Sequence, residues 1–353
     1  LGDVYKRQVL EVSLKLLIVY MLVVTDIDKL KLYAVLMLLV QLLIRIIYGQ
    51  YSGRHFAETS YRRMWDGALF REMTGFAGWN LFGNIAAVAF TQGLNVLLNM
   101  FFGPTVNAAR GIAVQVQNAI KGFCVNFQTA LNPQITKSYA AGDMSYMHKL
   151  IFTSSKFSYY LLLLLSLPVI LETPVILKWW LGIVPGHTVA FVRYILVISM
   201  IDSLANPLIQ AASATGRIRL YQAVVGTLLI LILPIAYVAL KLGAPPEGVF
   251  VVQLVVFVIA QVARIWMLRP LISFSMRAYL HKTALPITYV TLASLAVPLA
   301  VYMLMQPSFG RFMAVCASSA VSVCAAVYFI GLVGSERKFI IDKAKNMAHK
   351  LKR

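Results

Sequence analysis

Residues 76–132 have the sequence FAGWNLFGNIAAVAFTQGLNVLLNMFFGPTVNAARGIAVQVQNAIKGFCVNFQTALN, two long apolar segments joined by Gly103-Pro104. The first segment carries polar residues whose spacings of four and seven place them on one stripe of a helix. They are Asn80, Asn84, Thr91, Asn95 and Asn99. The pattern predicts an apolar helix with one polar face.

The second segment carries two polar faces by the same rule. One consists of Arg110, Gln117, Lys121 and Gln128, and the other of Gln115, Asn118, Gly122 and Asn126. A charge in the middle of a span costs about 2.5–3.5 kcal/mol, so Lys121 indicates a functional role. Two interpretations stay open, because amides either join neighbouring helices by hydrogen bonds or line a water-filled cavity. The number of amides, together with a cation, favours the cavity.

The composition is typical of an integral membrane protein. Of the 353 residues, 60% are hydrophobic and 13% are charged, with a mean hydropathy of +0.77, whereas a soluble domain is about 25% charged. The net charge of +19 does not indicate nucleic-acid binding, because the basic residues lie in short gaps between apolar runs. The sequence predicts an all-α, polytopic bundle of transmembrane helices with membrane lipids, and no nucleic acid, around it.

Apolar stretches of about 20 residues predict ten transmembrane helices. They lie near residues 9–25, 30–48, 76–100, 106–131, 151–172, 188–211, 219–240, 248–268, 284–305 and 312–333. Most loop lysines and arginines fall on alternate connections, and the positive-inside rule places that side and the C-terminus in the cytoplasm. Residues 56–72 and 143–150 are expected to form cytoplasmic surface helices, with a solvated linker as the alternative for the first.

No pattern in the sequence indicates catalysis. The histidines lie in connections or in the tail, and the chain has no metalloprotease, nucleotide-binding or hydrolase motif. Cys124, Cys316 and Cys324 lie within apolar runs and are interpreted as packing residues. We therefore expect neither an enzyme nor a bound cofactor or metal.

Asp202 is the one carboxylate well inside a predicted span, and Asn206 follows it by one helical turn beside Pro207. Asp202 is expected either to be held by Asn206 or a free backbone amide, or to pair with a cation or carry a proton. Lys121 correspondingly either pairs with Asp202 or faces the cavity alone. Arg193, nearer the outer end of the same span, is expected to extend to lipid headgroups.

Three stretches resemble a known transporter family: FAGWNLFGN at 76–84, NAARGIA at 107–113, and NPQI at 132–135 followed by AGD at 141–143. They resemble the Wzx-type oligosaccharide flippases of polysaccharide biosynthesis, a branch of the multidrug/oligosaccharidyl-lipid/polysaccharide (MATE-like) superfamily, and Bacteroidetes members most of all. The resemblance covers residues 9–285 and, more loosely, the last two predicted spans.

The resemblance implies two six-helix lobes around a central cavity, followed by two additional helices. The implied parts are a stub at 1–8, the last two helices of the first lobe at 9–48, a cytoplasmic interfacial connector at 49–75, the six-helix second lobe at 76–268, the additional pair at 284–333 and a basic cytoplasmic tail at 334–353. Four helices of the first lobe would precede these parts. The sequence is therefore interpreted as an N-terminally truncated reading frame.

The implied function is the transfer of undecaprenyl-diphosphate-linked oligosaccharide across the bacterial inner membrane, for surface polysaccharide such as the O-antigen of lipopolysaccharide. The resemblance implies that Lys121 and Arg110 meet the diphosphate. Sugar hydroxyls would be bound by the amides of Asn80, Asn84, Asn95, Gln115, Gln117, Asn118 and Asn126. Asp202 and Asn206 are the candidates for coupling to H+ or Na+.

Two alternatives are kept beside the flippase. A cation-coupled multidrug exporter on the same scaffold would prefer acidic and aromatic cavity walls, and the excess of amides argues against it. A membrane-embedded glycan polymerase or ligase would need a large outward loop with catalytic Arg or His, and the predicted outward loops are short.

Overall fold

The computed structural model describes residues 2–24, 28–55, 65–334 and 336–337, and these residues form helices joined by short turns, without a strand. The α-helices are α1 (Gly2–Val24), α2 (Lys29–His55), α3 (Gly67–Phe102), α4 (Pro104–Ala140), α5 (Met144–Leu181), α6 (Thr188–Asp202), α7 (Ala205–Ala214), α8 (Arg219–Lys241), α9 (Gly248–Ile272), α10 (Met276–Tyr279), α11 (Leu285–Leu304) and α12 (Phe309–Ala326). Two π-helical segments, Leu280–Ala284 and Val327–Gly331, adjoin α11 and α12. The predicted all-α, polytopic bundle is confirmed.

Each of the ten predicted spans corresponds to a helix or a pair of consecutive helices. Among the described residues, eight helical stretches are long and apolar enough to cross a membrane. α1 and α4 are not among the eight. The reason in α4 is its sequence, since this 37-residue helix carries the amides and cations of the two polar faces.

The chain divides into two compact units, Leu1–Phe70 and Arg71–Arg353. In the first unit α1 packs against α2. In the second unit α4 packs against α5, α6 and α7, while α8 packs against α9 and the α11–α12 pair packs against α5. α3 approaches α8 closely, because a Cβ atom at Gly226 would lie 2.6 Å from the Phe82 ring.

The predicted surface helix at 56–72 lies partly outside the described residues, and the one at 143–150 is not a separate element. Residues 56–64 lie outside the described part of the chain, and 67–72 are the first turns of α3. The segment 143–150 is the beginning of α5, and the Asp143 side chain caps the helix by accepting a hydrogen bond from the Tyr146 amide at 2.9 Å. No helix-breaking residue lies between Met144 and Leu150, so the span continues from the cap without interruption.

Pro174 bends α5 and leaves a backbone carbonyl without its helical partner. Proline has no N–H to donate to the carbonyl four residues earlier, which here is that of Ile170. The Arg193 Nε atom donates to the Ile170 oxygen at 2.9 Å, and its Nη2 atom donates to Leu171 at 3.4 Å. The expectation that Arg193 extends to lipid headgroups is wrong, because the kink offers it acceptors inside the protein.

A carbonyl left free by a proline also joins α11 to α12. Pro298 leaves the Ser294 carbonyl free, and the Ser322 hydroxyl donates to it at 3.0 Å. α12 is tied to α5 by a bidentate ion pair, in which Arg311 Nε and Nη2 lie 2.8 and 2.9 Å from the two carboxylate oxygens of Glu172. α11 and α12 are thus fixed to each other and to α5 by polar contacts as well as by packing.

Candidate functional site

Lys121 and Asp202 form an ion pair near the middle of the second unit. The Lys121 Nζ atom lies 2.5 Å from Asp202 Oδ2. Lys121 lies midway along α4, and Asp202 is the last residue of α6, where the turn Ser203-Leu204 interrupts the span before α7. The two side chains are 35% and 28% exposed, so the pair is open to the adjoining cavity rather than enclosed by packed side chains. Of the roles left open for Asp202, the structure contains the pair with a cation.

Two glutamines of the same α4 face are bonded to α6 and the turn that follows it. Gln117 Nε2 donates to the Ser199 hydroxyl at 2.7 Å, and Gln128 Nε2 donates to the Ser203 carbonyl at 2.8 Å. Pro207 is four residues beyond Ser203 and has no N–H for that carbonyl, so Gln128 satisfies it instead. Both interpretations of the amides therefore apply, since this face joins helices and also brings Lys121 to a cavity.

The cavity has a volume of about 330 Å³ and is enclosed by five spans. Its wall combines polar side chains from α3, α4, α6, α8 and α9 with aromatic rings. The polar and aromatic lining residues are Asn84, Phe90, Thr91, Lys121, Asp202, Tyr221, Gln222, Phe257 and Arg264. Lys121, Asp202 and Asn84 thus line one cavity, and among the described residues no hydrogen bond joins Asn84 to the ion pair.

Arg264 is the cavity residue that sequence reasoning missed. It lies in α9, is 5% exposed, and donates from Nη1 to Gln261 Oε1 over a long distance of 3.5 Å. Its Nε atom is buried without an acceptor, and no described carboxylate forms an ion pair with it. The signal was available, because a lone arginine inside an apolar run is as costly as Lys121.

The cavity wall consequently has one positive charge in excess. Lys121 and Asp202 neutralise each other, and Arg264 remains without a counter-charge among the residues described here. A buried guanidinium offers donors in a fork that matches a phosphate or carboxylate. The arrangement can therefore attract an anion into a water-accessible space within the membrane.

Arg110 lies away from the cavity lining. Its guanidinium is buried between α3 and α4, where Nη1 donates to the Asn95 side chain and Nη2 donates to the Thr91 carbonyl at 3.2 Å. Asn80 also joins two helices, because its Oδ1 atom accepts a hydrogen bond from Gln222 Nε2 of α8 at 3.1 Å. These predicted substrate-binding residues hold α3 against α4 and α8.

The second polar face of α4 lies on the exposed surface of the second unit. Gln115, Asn118, Gly122 and Asn126 all lie on it, and their amides make no hydrogen bond to other described side chains. Asn206 does not pair with Asp202, and its Oδ1 atom is buried without a partner at the start of α7. Because amides are unfavourable in hydrocarbon, the exposed face borders water or protein in the membrane.

Comparison of the sequence and the structure with protein families, curated proteins and solved structures gave no match. Among the described residues there is also no group of three or more His, Cys, Asp or Glu side chains that could hold a metal ion. The functional argument therefore depends on the membrane architecture and on the charges of the cavity.

Proposed function

We propose that the chain is a membrane flippase that moves undecaprenyl-diphosphate-linked oligosaccharide from the cytoplasmic to the periplasmic leaflet of the bacterial inner membrane, with its C-terminus in the cytoplasm. The single observation that carries the proposal is the buried Arg264 guanidinium, which faces the cavity without a counter-charge. An anionic group on the substrate would supply that charge. The resemblance of residues 76–143 to oligosaccharide flippases supplies the class of substrate.

In this mechanism the diphosphate enters the cavity and is bound by Arg264. Lys121 is held at 2.5 Å from Asp202 and contributes fewer free donors. Asn84, together with the exposed face of Gln115, Asn118 and Asn126, provides the mixed donors and acceptors that sugar hydroxyls require. Transport follows by alternating access, in which the cavity opens to each side of the membrane in turn.

A cation-coupled drug exporter is the second candidate, and Asp202 is the observation that favours it. Asp202 is the only carboxylate among the described residues that line the cavity. A coupling proton or sodium ion would have to displace the Lys121 ammonium from it. An excess of positive charge also repels the cationic drugs that such exporters carry.

The two functions differ in the sign of the charge on the ligand that the chain binds. The purified chain would be offered undecaprenyl diphosphate, undecaprenol and a lipophilic cation such as tetraphenylphosphonium, and binding would be measured by native mass spectrometry. The flippase proposal predicts at least about a tenfold preference for the diphosphate over undecaprenol, which corresponds to about 1.4 kcal/mol. Equal retention of the two lipids, or preferential binding of the cation, would contradict it.

A further inference from the structure

A second polar cavity, of about 620 Å³, lies at the beginning of α5. Three parts of the chain line it: the first turns of α5, residues 275–282 around α10, and Val333 and Glu336 after the last π-helical segment. Its polar lining includes Lys149, Thr153, Lys156, Ser275, Lys282 and Glu336. None of these residues belongs to the cavity of Lys121 and Arg264.

Lys156 is the buried centre of this second cavity. Its side chain is 3% exposed, and its Nζ atom lies 2.7 Å from Glu336 Oε2. Thr153 Oγ1 donates to the other carboxylate oxygen at 3.5 Å. A buried ammonium requires a negative partner, and here a segment 180 residues further along the chain provides it. The first turns of α5 thus form an anion-binding position that the Glu336 carboxylate occupies.

The rim of the cavity carries further positive charge. Lys149 and Lys282 are exposed, and neither forms an ion pair with a described carboxylate. The Lys282 ammonium lies 5.6 Å from the centre of the Phe152 ring. Asp143, the other acid of the lining, is engaged in capping α5 through the Tyr146 amide. The cavity therefore has more cations than the two carboxylates balance.

The position of the cavity in the bundle indicates where its ligand comes from. α5 and α10 begin here and the last π-helical segment ends here, so the cavity lies at one end of the spans rather than in their middle. It is on the side that the positive-inside rule assigns to the cytoplasm. Anionic phospholipids are attracted to basic residues at that surface by about 1 kcal/mol per Lys or Arg.

We propose that this cavity binds a phosphate group, presented by the headgroup of an anionic phospholipid. The phosphate oxygens accept hydrogen bonds from Lys149 and Lys282 at the rim and compete with the Glu336 carboxylate for the Lys156 ammonium. Binding would therefore displace the Glu336 carboxylate from the Lys156 ammonium. This site is independent of the flippase proposal, because its residues lie outside the transport cavity.

The test uses the purified 353-residue chain in nanodiscs of phosphatidylcholine, with and without phosphatidylglycerol. Native mass spectrometry measures the lipid that stays bound after the protein is released from the nanodisc. Thermal unfolding measures how much phosphatidylglycerol stabilises the protein. The double variant Lys149→Ala with Lys282→Ala should retain at least fivefold less phosphatidylglycerol than the wild type. The matched control removes two exposed basic residues of the same predicted side that do not line the cavity, Lys137→Ala with Arg217→Ala, and should retain at least half as much as the wild type.

Glu336→Gln provides the second measurement, because it removes the competing carboxylate. This variant should unfold at a lower temperature in pure phosphatidylcholine and should gain more from phosphatidylglycerol than the wild type gains. A matching gain from inorganic phosphate alone would assign the site to a soluble phosphate and would still support phosphate recognition. Equal losses in the two double variants, or no gain of Glu336→Gln from either phosphate source, would overturn the proposal.

Discussion

Two ion pairs in the second unit have similarly short distances and opposite surroundings. Glu172 and Arg311 form a bidentate pair between α5 and α12, in which the side chains are 0% and 8% exposed and the guanidinium also lies 4.6 Å from the centre of the Tyr302 ring. Lys121 and Asp202 form a single contact between α4 and α6 beside a water-accessible cavity. We call the Glu172–Arg311 pair dry, because protein encloses it, and the Lys121–Asp202 pair wet, because it adjoins the cavity.

This difference separates a pair on which the fold depends from one that the fold can lose at small cost. In a dry site each charge depends on its partner, because no water replaces the partner when it is removed. In a wet site solvent screens the charges, and either can be exposed to a ligand at small cost. The burial of each pair, rather than its short distance, therefore indicates how strongly the fold depends on it.

The largest effect is expected when the dry pair is broken. Arg311→Leu leaves the Glu172 carboxylate buried without a partner, and we expect a loss of about 3–5 kcal/mol in the free energy of unfolding. Unfolding of the detergent-solubilised protein by sodium dodecyl sulfate measures this loss. The double variant Glu172→Leu with Arg311→Leu should recover most of the stability, since no charge remains buried. A single variant as stable as the wild type would show that water reaches Glu172.

A smaller effect is expected when the wet pair is broken. Lys121→Gln should cost about 1 kcal/mol or less, because solvent screens the remaining Asp202 carboxylate. The double variant Lys121→Gln with Asp202→Asn should be close to the wild type in the same unfolding assay. A loss as large as that of Arg311→Leu would mean that the cavity is dry, and the contrast between the two pairs would disappear.

The sequence predicts the helices better than the contacts between them. Hydrophobic period and length are local properties, and every predicted span has its helix. The prediction of a separate surface helix at 143–150 was wrong. It placed a boundary where the sequence changes from charged to apolar residues, whereas the helical backbone continues from the Asp143 cap into the span.

The cavity of Lys121 and Arg264 was predicted only in part, and for a physical reason. Spacing within one helix places Gln117, Lys121 and Gln128 on a common face, but it cannot show that Ser199, Asp202 and the Ser203 carbonyl lie opposite. Arg193 was misread because its acceptor is a carbonyl freed by a proline in another helix. Arg264 could have been singled out by its cost in an apolar span, but its lack of a counter-charge among the described residues is a tertiary property.

The central claim is that Arg264 supplies the free positive charge of the cavity and that the Lys121–Asp202 pair supplies none. The affinity of the purified chain for undecaprenyl diphosphate tests this claim most directly. We compare Arg264→Gln, which removes the free charge, with the double variant Lys121→Gln and Asp202→Asn, which leaves the net charge unchanged. Arg217→Gln, at an exposed arginine between α7 and α8, is the matched control.

The account predicts that Arg264→Gln binds the diphosphate lipid at least about tenfold more weakly, a loss of about 1.4 kcal/mol, while its folded yield is retained because the lost charge had no partner. The neutral double variant and Arg217→Gln should stay within about threefold of the wild type, less than about 0.7 kcal/mol. Full affinity in Arg264→Gln together with a tenfold loss in the neutral double variant would contradict the account.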